Sequence, residues 1–272
     1  MVNISALLND PKAPAAKVTM VSGVCAKGQI SAYVITPEQP ATRAPLMAIH
    51  GISRNAEELV EQFRPEAAAN NQVIIVPYFD KATWPVFQRI TCKHRPDLAL
   101  LALLNTLRED AMIGSSRVNL FGFSGGAQLA HRFAMLFPEV IGDIHLSSAG
   151  WYTLPRPDLP YPLGLGPGSS KGNWHRLMAG SLRHFLSRSI HVYVGKNDLT
   201  QNSSLRRDPL LNKVQGENRV ERAERYISLI SQRQAEMGLP VTAGLSVLEN
   251  CSHDFKQCCI DGGLIQKIEK NS

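Results

Sequence analysis

The sequence predicts one α/β domain, built on a mostly parallel sheet of about eight strands that is flanked by helices. Strand-like and helix-like runs alternate along most of the chain, which is the pattern of parallel strands joined by helical crossovers. A hydrophobic content of 44% over 272 residues is enough for one large core. A glycine-rich turn at 122–126 separates a strand-like run from a helix-like run. We therefore expect residues 1–272 to form a single domain.

The N-terminal part is predicted to form an antiparallel hairpin. Residues 18–25 and 29–36 are runs with β-branched residues and partial alternation of apolar and polar side chains, and a short turn at 26–28 joins them. Beyond the hairpin the two kinds of run alternate. The predicted strands are 46–49, 73–76, 118–121, 141–146, 190–194 and 242–248. The predicted helices are 56–69, 97–109, the helix after Gly126, 220–237 and 262–269.

One segment interrupts this alternation. Residues 151–171 contain five prolines and several glycines, which excludes a regular helix or a central strand. With a short helix at 174–186, the segment 151–187 is predicted to be a lid-like insertion or pocket wall. The alternative is a surface crossover that does not contact substrate. Its basic residues, which could favour substrates with a free carboxylate or form a solvated face, are Arg156, Lys171, Arg176 and Arg183.

The most informative motif is Gly122-Phe123-Ser124-Gly125-Gly126, which has the form G-x-S-x-G. Such a motif places its serine on a cramped turn between a strand and a helix, where the flanking glycines avoid side-chain clashes. The helix that follows would direct the N–H of Gly125 toward an oxyanion. A chance motif in a glycine-rich loop is the alternative, and the adjoining strand and helix argue against it. We therefore predict Ser124 to be a nucleophile.

A nucleophilic serine needs a general base, and the base needs an acid that orients it. Asp198 follows the predicted strand 190–194, and His253 follows the predicted strand 242–248. Both lie just beyond the carboxyl ends of strands, where the loops of a parallel sheet meet. Asp254 and Asp208 are weaker candidates for the acid, since Asp254 is adjacent to His253 in sequence and Asp208 is farther from its strand.

These residues together resemble the α/β-hydrolase superfamily over nearly the whole chain. The order Ser124, Asp198, His253 is the chain order of that fold. The four matched places are His50-Gly51, the elbow 122–126, the turn 195–198 and the run 252–255. Within the superfamily, the chain looks most similar to compact esterases and to polyhydroxybutyrate-depolymerase-like hydrolases.

The resemblance implies a serine esterase that cleaves carboxylic esters of short to medium acyl chain through an acyl-enzyme, with no cofactor and no metal. It also implies an oxyanion hole formed by the N–H groups of Gly125 and Ile52. The H-G-G-G run of many lipases is absent, so Gly51 or Ser53 could replace Ile52, and His50 is expected to brace this loop. An acyltransferase, a serine peptidase and a catalytically idle binding protein of the same fold remain alternatives.

Three aromatic residues are candidates for the substrate pocket: Trp84, Trp151 and Tyr152 lie on predicted loops after strands, where an ester site needs apolar walls. Ordinary packing in the core is the alternative for each of them.

Composition limits the other classes of function. The net charge is +6 and the isoelectric point is about 9.1, but the basic residues are scattered and no nucleic-acid-binding motif is present. No apolar run is long enough to span a membrane, and no H-E-x-x-H spacing indicates a metal site. The expected partner is a small-molecule ester. Five cysteines without a C-x-x-C pair favour a cytoplasmic protein, whereas a disulfide at Cys251 would indicate a periplasmic or secreted one.

Overall fold

A computed structural model of the protein describes residues 16–114, 117–168, 172–200 and 205–272. Eight strands in these residues form one sheet in the order β1-β2-β4-β3-β5-β6-β7-β8. The strands are β1 (Ala16–Cys25), β2 (Gly28–Pro37), β3 (Leu46–Ile49), β4 (Ile74–Tyr78), β5 (Val118–Phe123), β6 (Ile141–Ser147), β7 (Ile190–Gly195) and β8 (Gly244–Leu248).

The helices lie between and after these strands. They are α1 (Ala56–Ala69), α2 (Pro96–Glu109), α3 (Gly125–Leu136), α4 (Trp174–Leu186), α5 (Pro209–Gln215), α6 (Arg219–Glu236), α7 (Phe255–Ile260) and α8 (Leu264–Lys270), with a 3₁₀ turn at Pro138–Val140.

In the described sheet, the antiparallel pairings are those of the two strands of the N-terminal hairpin. Strands β1 and β2 are antiparallel, and β2 is antiparallel to β4, whereas every pairing from β4 to β8 is parallel. The carboxyl ends of the six parallel strands therefore meet at one edge of the sheet, where their loops can combine side chains from distant parts of the sequence.

Helices cover both faces of the sheet. One core contains apolar side chains of α2, α3, α4 and α6, and the other contains those of α1, α7 and α8. The central strand β5 is buried along all six residues. Val118 and Leu120 belong to the first core, while Phe121 and Phe123 belong to the second, as alternation along a strand requires.

The predicted mostly parallel sheet with an N-terminal hairpin is confirmed, and most predicted elements agree with the structure to within a few residues. Strand β8 begins at Gly244 rather than at 242, because Thr242 instead accepts and donates hydrogen bonds at Gln234 and Arg188. Two helices, α5 and α7, were not predicted. They have seven and six residues, too few to show a helical period.

The proline-rich segment is folded closely onto the molecule. Its described part contains buried leucines at 154, 159, 163 and 165, and the N–H of Leu154 donates to the carbonyl of Leu163 at 2.8 Å. The predicted helix after it is α4. Residues 169–171, with Lys171, lie outside the described residues. The role of 151–187 as a lid stays a prediction.

Candidate active site

Ser124 lies on the turn that joins β5 to α3. Its backbone has φ 54° and ψ −111°, a left-handed conformation that is unusual for a residue with a side chain. The N–H of Ser124 donates to the carbonyl of Ser147 at the end of β6, at 2.8 Å. A Cβ at Gly126 would lie 2.1 Å from the carbonyl oxygen of Ile49. The turn therefore requires glycine at 126, and this close approach holds the start of α3 against β3.

A hydrogen-bonded series joins Ser124 to His253 and Asp198. The distance from Ser124 Oγ to His253 Nε2 is 3.0 Å, and the distance from His253 Nδ1 to Asp198 Oδ2 is 2.8 Å. The imidazole lies against the ring of Phe123, with 5.2 Å between the centroids and 23° between the planes. A carboxylate at Nδ1 favours the tautomer in which Nδ1 carries the proton, so Nε2 can accept the hydroxyl proton of Ser124.

Asp198 is held in place by backbone contacts between its own loop, after β7, and the loop that carries His253. The N–H of Asp198 donates to the carbonyl of Gly195, and the N–H of Asn197 donates to the carbonyl of Cys251 at 2.8 Å. A Cβ at Gly195 would lie 2.4 Å from that same carbonyl oxygen. The loop after β7 is therefore fixed against the loop that carries His253, which sets the position of one side chain relative to the other.

Asp198 also has a basic partner that sequence reasoning missed. Arg219 Nη1 donates to Asp198 Oδ1 at 3.1 Å, and both residues are only 1% exposed. Burial lowers the pKa of Arg219, and the nearby carboxylate of Asp198 opposes this shift. A signal exists in the sequence: Arg219 directly follows the N-cap Asn218, where a cation is unfavourable to the helix dipole unless an acid offsets it.

The other two candidate aspartates act as helix caps. Asp208 Oδ1 accepts the N–H of Leu211 at 2.8 Å at the start of α5, and Asp254 Oδ1 accepts the N–H of Gln257 at 2.7 Å at the start of α7. Neither carboxylate is hydrogen-bonded to His253 in the structure, where Nδ1 is bonded to Asp198.

The loop after β3 approaches the start of α3. A Cβ at Gly125 would lie 3.3 Å from the backbone nitrogen of Ile52 and 2.6 Å from its Cγ2. The backbone groups of Ile52 and Gly125 are therefore neighbours beside Ser124, and a Cβ at 125 would require the side chain of Ile52 to move. This arrangement could present two N–H groups to one oxygen atom.

His50 braces this loop instead of facing Ser124. Its Nε2 accepts the N–H of Phe79 at 3.1 Å, so the proton is on Nδ1, which lies 2.8 Å from the carbonyl of Gly51. Burial lowers the pKa of His50 to about 4, so the ring is neutral near pH 7. Arg54 adds bonds to the carbonyls of Phe79 and Trp84.

Comparison with known proteins places the fold. No protein-family model matches the sequence, and no curated protein does. A poly(aspartic acid) hydrolase from Sphingomonas sp. KT-1 is similar in structure, at 21% identity and a TM-score of 0.75, with 95% of this chain and 98% of that chain covered. A poly(3-hydroxybutyrate) depolymerase from Bordetella parapertussis has 21% identity and a TM-score of 0.73, with 94% of both chains covered. The chain has the α/β-hydrolase fold.

A third similar structure is an S-formylglutathione hydrolase from Agrobacterium tumefaciens, at 15% identity and a TM-score of 0.62, with 97% of both chains covered. The sequence-based resemblance to this fold is confirmed by these structures, which match nearly the whole chain.

Within the α/β-hydrolase fold, Ser124 opens into a cleft of about 290 Å³. Its walls include Gly51, Ile52, Phe123, His253 and Phe255. The predicted nucleophile, base and oxyanion loop therefore border one space. The cleft is wide enough for a small acyl group. Its walls combine apolar side chains such as Ile52 and Phe255 with polar ones, among them the carboxylates of Glu58 and Asp254.

The predicted pocket aromatics are placed elsewhere. Trp84 is fully buried against Phe79, and its Nε1 donates to the carbonyl of Gln29, so it belongs to the core and not to the cleft. Tyr152 is also fully buried, stacked on Tyr226 at 4.0 Å. Trp151 borders a second cavity, of about 190 Å³. The sequence could not separate these cases, because large aromatics after strands serve packing as often as binding.

The five thiols are free. Cys251 Sγ donates to the carbonyl of Glu249 at 3.1 Å, and Cys258 Sγ donates to the carbonyl of Ser252 at 3.6 Å. The cellular compartment stays a prediction. Within the described ranges, no helix has the length and apolar character to cross a bilayer. In the same part of the chain, no group of three or more histidine, cysteine, aspartate or glutamate residues could hold a metal ion.

Proposed function

We propose that this protein is a serine hydrolase that cleaves carboxylic esters of short to medium acyl chain. The observation that carries the proposal is the continuous series of hydrogen bonds from Ser124 through His253 to Asp198, at 3.0 and 2.8 Å. This geometry matches the distances that general-base catalysis needs. The two hydrolases and the depolymerase among the similar structures support hydrolytic chemistry by analogy of fold.

In the proposed mechanism, Ser124 Oγ attacks the ester carbonyl while His253 Nε2 takes the hydroxyl proton. The negative charge that develops on the carbonyl oxygen is stabilised by the N–H groups of Gly125 and Ile52. His253 then gives the proton to the leaving alcohol, which leaves an acyl group on Ser124. A water molecule, activated by the same imidazole, releases the acid and restores the serine.

Asp198 orients the imidazole and stabilises its charged form during both steps. Arg219 holds the second oxygen of that carboxylate, so we assign it a positioning role. The size of the cleft, about 290 Å³, supports small acyl groups over long fatty chains. No cofactor takes part in any of these steps.

The proposal is tested with p-nitrophenyl acetate, butyrate, hexanoate and palmitate. We expect kcat/KM to be higher for acetate to hexanoate than for palmitate. Ser124→Ala should lower kcat by roughly 10⁴-fold or more, because the nucleophile is removed. The matched control is Ser228→Ala on the exposed surface of α6, which should retain wild-type kinetics.

Labelling identifies the nucleophile independently of turnover. A serine-reactive fluorophosphonate should modify the wild-type protein at Ser124, and it should not modify Ser124→Ala. Substantial turnover by Ser124→Ala would contradict the proposal. A folded wild-type protein that hydrolyses none of the esters would favour the idle binding protein, and faster acyl release on adding an alcohol or amine would favour the acyltransferase.

A further inference from the structure

A second cavity, of about 190 Å³, is lined by three arginines. Arg89, Arg132 and Arg206 line it together with Trp151, and we call this site the arginine pocket. The guanidinium carbon of Arg132 lies 4.1 Å from the ring centroid of Trp151, and that of Arg206 lies 5.1 Å from it. The indole therefore holds two cations near each other through its π-face.

Arg132 is the unusual member of this group. It is 1% exposed, yet among the described residues no carboxylate forms an ion pair with it. Its Nε donates to Thr153 Oγ1, and its Nη1 donates to the carbonyls of Gln88 and Gln128, each at 2.9 Å. Its buried Nη2 has no hydrogen-bond partner in the described structure. A buried charge normally requires a counterion, so a place for an anion is left open here.

The charges around the cavity favour an anion. Asp208 pairs with Arg206 at 2.9 Å, which leaves Arg89 and Arg132 without a carboxylate partner among the described residues. Burial lowers the pKa of Arg132 to about 10, and Arg89 and Arg206 act in the same direction, so the guanidinium still carries its charge near pH 7. Tyr161 also lines the cavity, and its hydroxyl is neutral at that pH because burial raises its pKa.

The arginine pocket lies toward the Ser124 end of helix α3. Arg132 lies on α3, the helix that begins at Gly125, and its bond to the carbonyl of Gln128 places the guanidinium near the level of the first turn. That level is about 6 Å along the helix axis from Ser124. Gln88 lies beside both sites, because its carbonyl accepts from Arg132 and its Cβ would be 3.6 Å from a Cβ at Gly125.

We propose that the arginine pocket binds a free carboxylate of the ester substrate, and that the enzyme therefore prefers esters of acids or alcohols that carry a second, ionised acid group. A planar carboxylate can accept parallel hydrogen bonds from guanidinium groups, which suits a narrow cavity with an open Nη2. Two basic residues of the segment 151–187 that the sequence suggested for carboxylate binding have other partners. Arg156 pairs with Asp158, and Arg183 donates to the carbonyl of Met237. This inference rests on the proposed esterase activity.

The first test compares acids with their methyl esters. One series is the mono-p-nitrophenyl esters of succinate, adipate and suberate, which carry the carboxylate on the acyl side. The other is 4-acetoxybenzoate, which carries it on the alcohol side. In at least one of these two series, we expect kcat/KM of the free acid to exceed that of its methyl ester by about 10- to 100-fold. Hydrogen bonds to charged groups contribute this much. Ratios near one in both series would overturn the inference.

Variants locate the effect. Arg89→Gln and Arg206→Gln should each lower the ratio of acid to methyl ester, mainly through KM of the acid. Arg132→Gln should abolish the preference for the free acid. Arg132 is buried, so this variant is useful only if it folds. Arg89 and Arg206 are exposed, so their variants test the inference in either case. The control is Arg176→Gln on the exposed side of α4, which changes the net charge equally and should leave the ratio unchanged. An equal loss in Arg176→Gln would show a general charge effect and would overturn the inference.

Binding separates this inference from the proposed activity. The affinity of Ser124→Ala for mono-p-nitrophenyl adipate is measured by calorimetry, with and without Arg89→Gln and Arg206→Gln. Arginine-dependent binding without turnover by the wild type would support the arginine pocket and contradict the esterase. Turnover of neutral esters with arginine-independent binding would support the esterase and overturn the arginine pocket.

Discussion

Asp198, Asp208 and Asp254 all lie in loops, and their side chains have different partners. Asp198 joins His253 and Arg219, whereas Asp208 and Asp254 accept backbone N–H groups at the starts of α5 and α7. A cap needs only a side-chain oxygen, which asparagine also has. Orienting an imidazole that becomes charged needs a carboxylate. Replacement by asparagine therefore distinguishes the two roles.

We predict that Asp198→Asn lowers kcat for p-nitrophenyl butyrate by roughly 10⁴-fold, because His253 loses its orientation and its counter-charge. Asp208→Asn and Asp254→Asn should each stay within a few-fold of the wild type, since both caps are preserved. Steady-state kinetics of the three variants, with circular dichroism to confirm folding, provide the measurement. A larger loss in Asp208→Asn or Asp254→Asn than in Asp198→Asn would assign the acid differently.

The sequence identified Ser124, Asp198 and His253 as candidates because each combines a reactive side chain with a position just beyond a predicted strand. It did not identify Arg219 or Arg132. Arg219 acts through a contact across 21 positions of the chain, and Arg132 through a contact across 44. The position of Arg219 directly after the N-cap Asn218 indicates that it needs an acid, but it does not show which acid. The sequence also left both a pocket position and core packing open for Trp84, whose indole is hydrogen-bonded inside the core.

At the scale of elements, the strand–turn–helix unit of β5 and α3 depends on how closely its backbone packs. A Cβ at Gly122 would lie 2.5 Å from the carbonyl carbon of Gly126, and one at Gly126 would lie 2.1 Å from the carbonyl oxygen of Ile49. Both obstacles are backbone atoms, which cannot rotate away as a side chain can. A methyl group at Gly126 would separate α3 from β3, and one at Gly122 would separate α3 from β5. Either change would displace Ser124.

We predict that Gly126→Ala strongly destabilises the protein and abolishes esterase activity, because the added methyl group has no room. The control is Gly180→Ala in α4, where nothing lies within 4 Å of the added methyl group. That change should stabilise the protein by about 0.5–1 kcal/mol, as alanine does in helix interiors. Urea unfolding and kcat measure both effects. A stable, active Gly126→Ala would contradict this account of the turn.

The elements that the sequence failed to predict are short. Helices α5 and α7 occupy Pro209–Gln215 and Phe255–Ile260, less than two turns each. Their signals were the caps Asp208 and Asp254, which sequence reasoning weighed as catalytic acids. A single aspartate has the same local appearance in both roles, and only the fold shows which group it meets. The longer elements were predicted well because several turns or strand residues repeat their period.

At the scale of the whole molecule, three fully buried histidines connect different layers of the structure. His50 accepts the N–H of Phe79, and His131 accepts the N–H of Thr153. His145 lies between Tyr193 and the C-terminal Ser272, at 3.1 Å from each hydroxyl. Burial lowers the pKa of all three, to about 4 for His50 and about 3 for His145. Each is neutral in the folded state down to a pH at which the unfolded chain is protonated.

This difference in protonation between the folded and unfolded states determines whether the histidines make stability rise or fall with pH. Between about pH 6.5 and the lowered pKa, the unfolded state binds more protons than the folded state, so the free energy of unfolding falls as pH falls. Above about pH 7.5 the histidines are neutral in both states and make no difference. Half-buried carboxyl groups with raised pKa values, at Glu58, Asp143 and Glu269, act with the opposite sign. The contribution of one histidine is therefore measured as a difference in slope between a variant and the wild type.

We predict that His145→Gln loses less stability than the wild type between pH 6.5 and 4.5, because one buried group no longer needs to stay unprotonated. The slope of unfolding free energy against pH should decrease by up to about 1.4 kcal/mol per pH unit, the value for one proton. The control is His184→Gln at an exposed position of α4, which should follow the wild-type slope. Urea unfolding at pH 7.5, 6.5, 5.5 and 4.5 measures all three proteins.

Since glutamine also removes hydrogen bonds of His145, the variant should be less stable at pH 7.5, and this constant offset does not affect the slope. An unchanged slope in His145→Gln would mean that this histidine titrates equally in the folded and unfolded states.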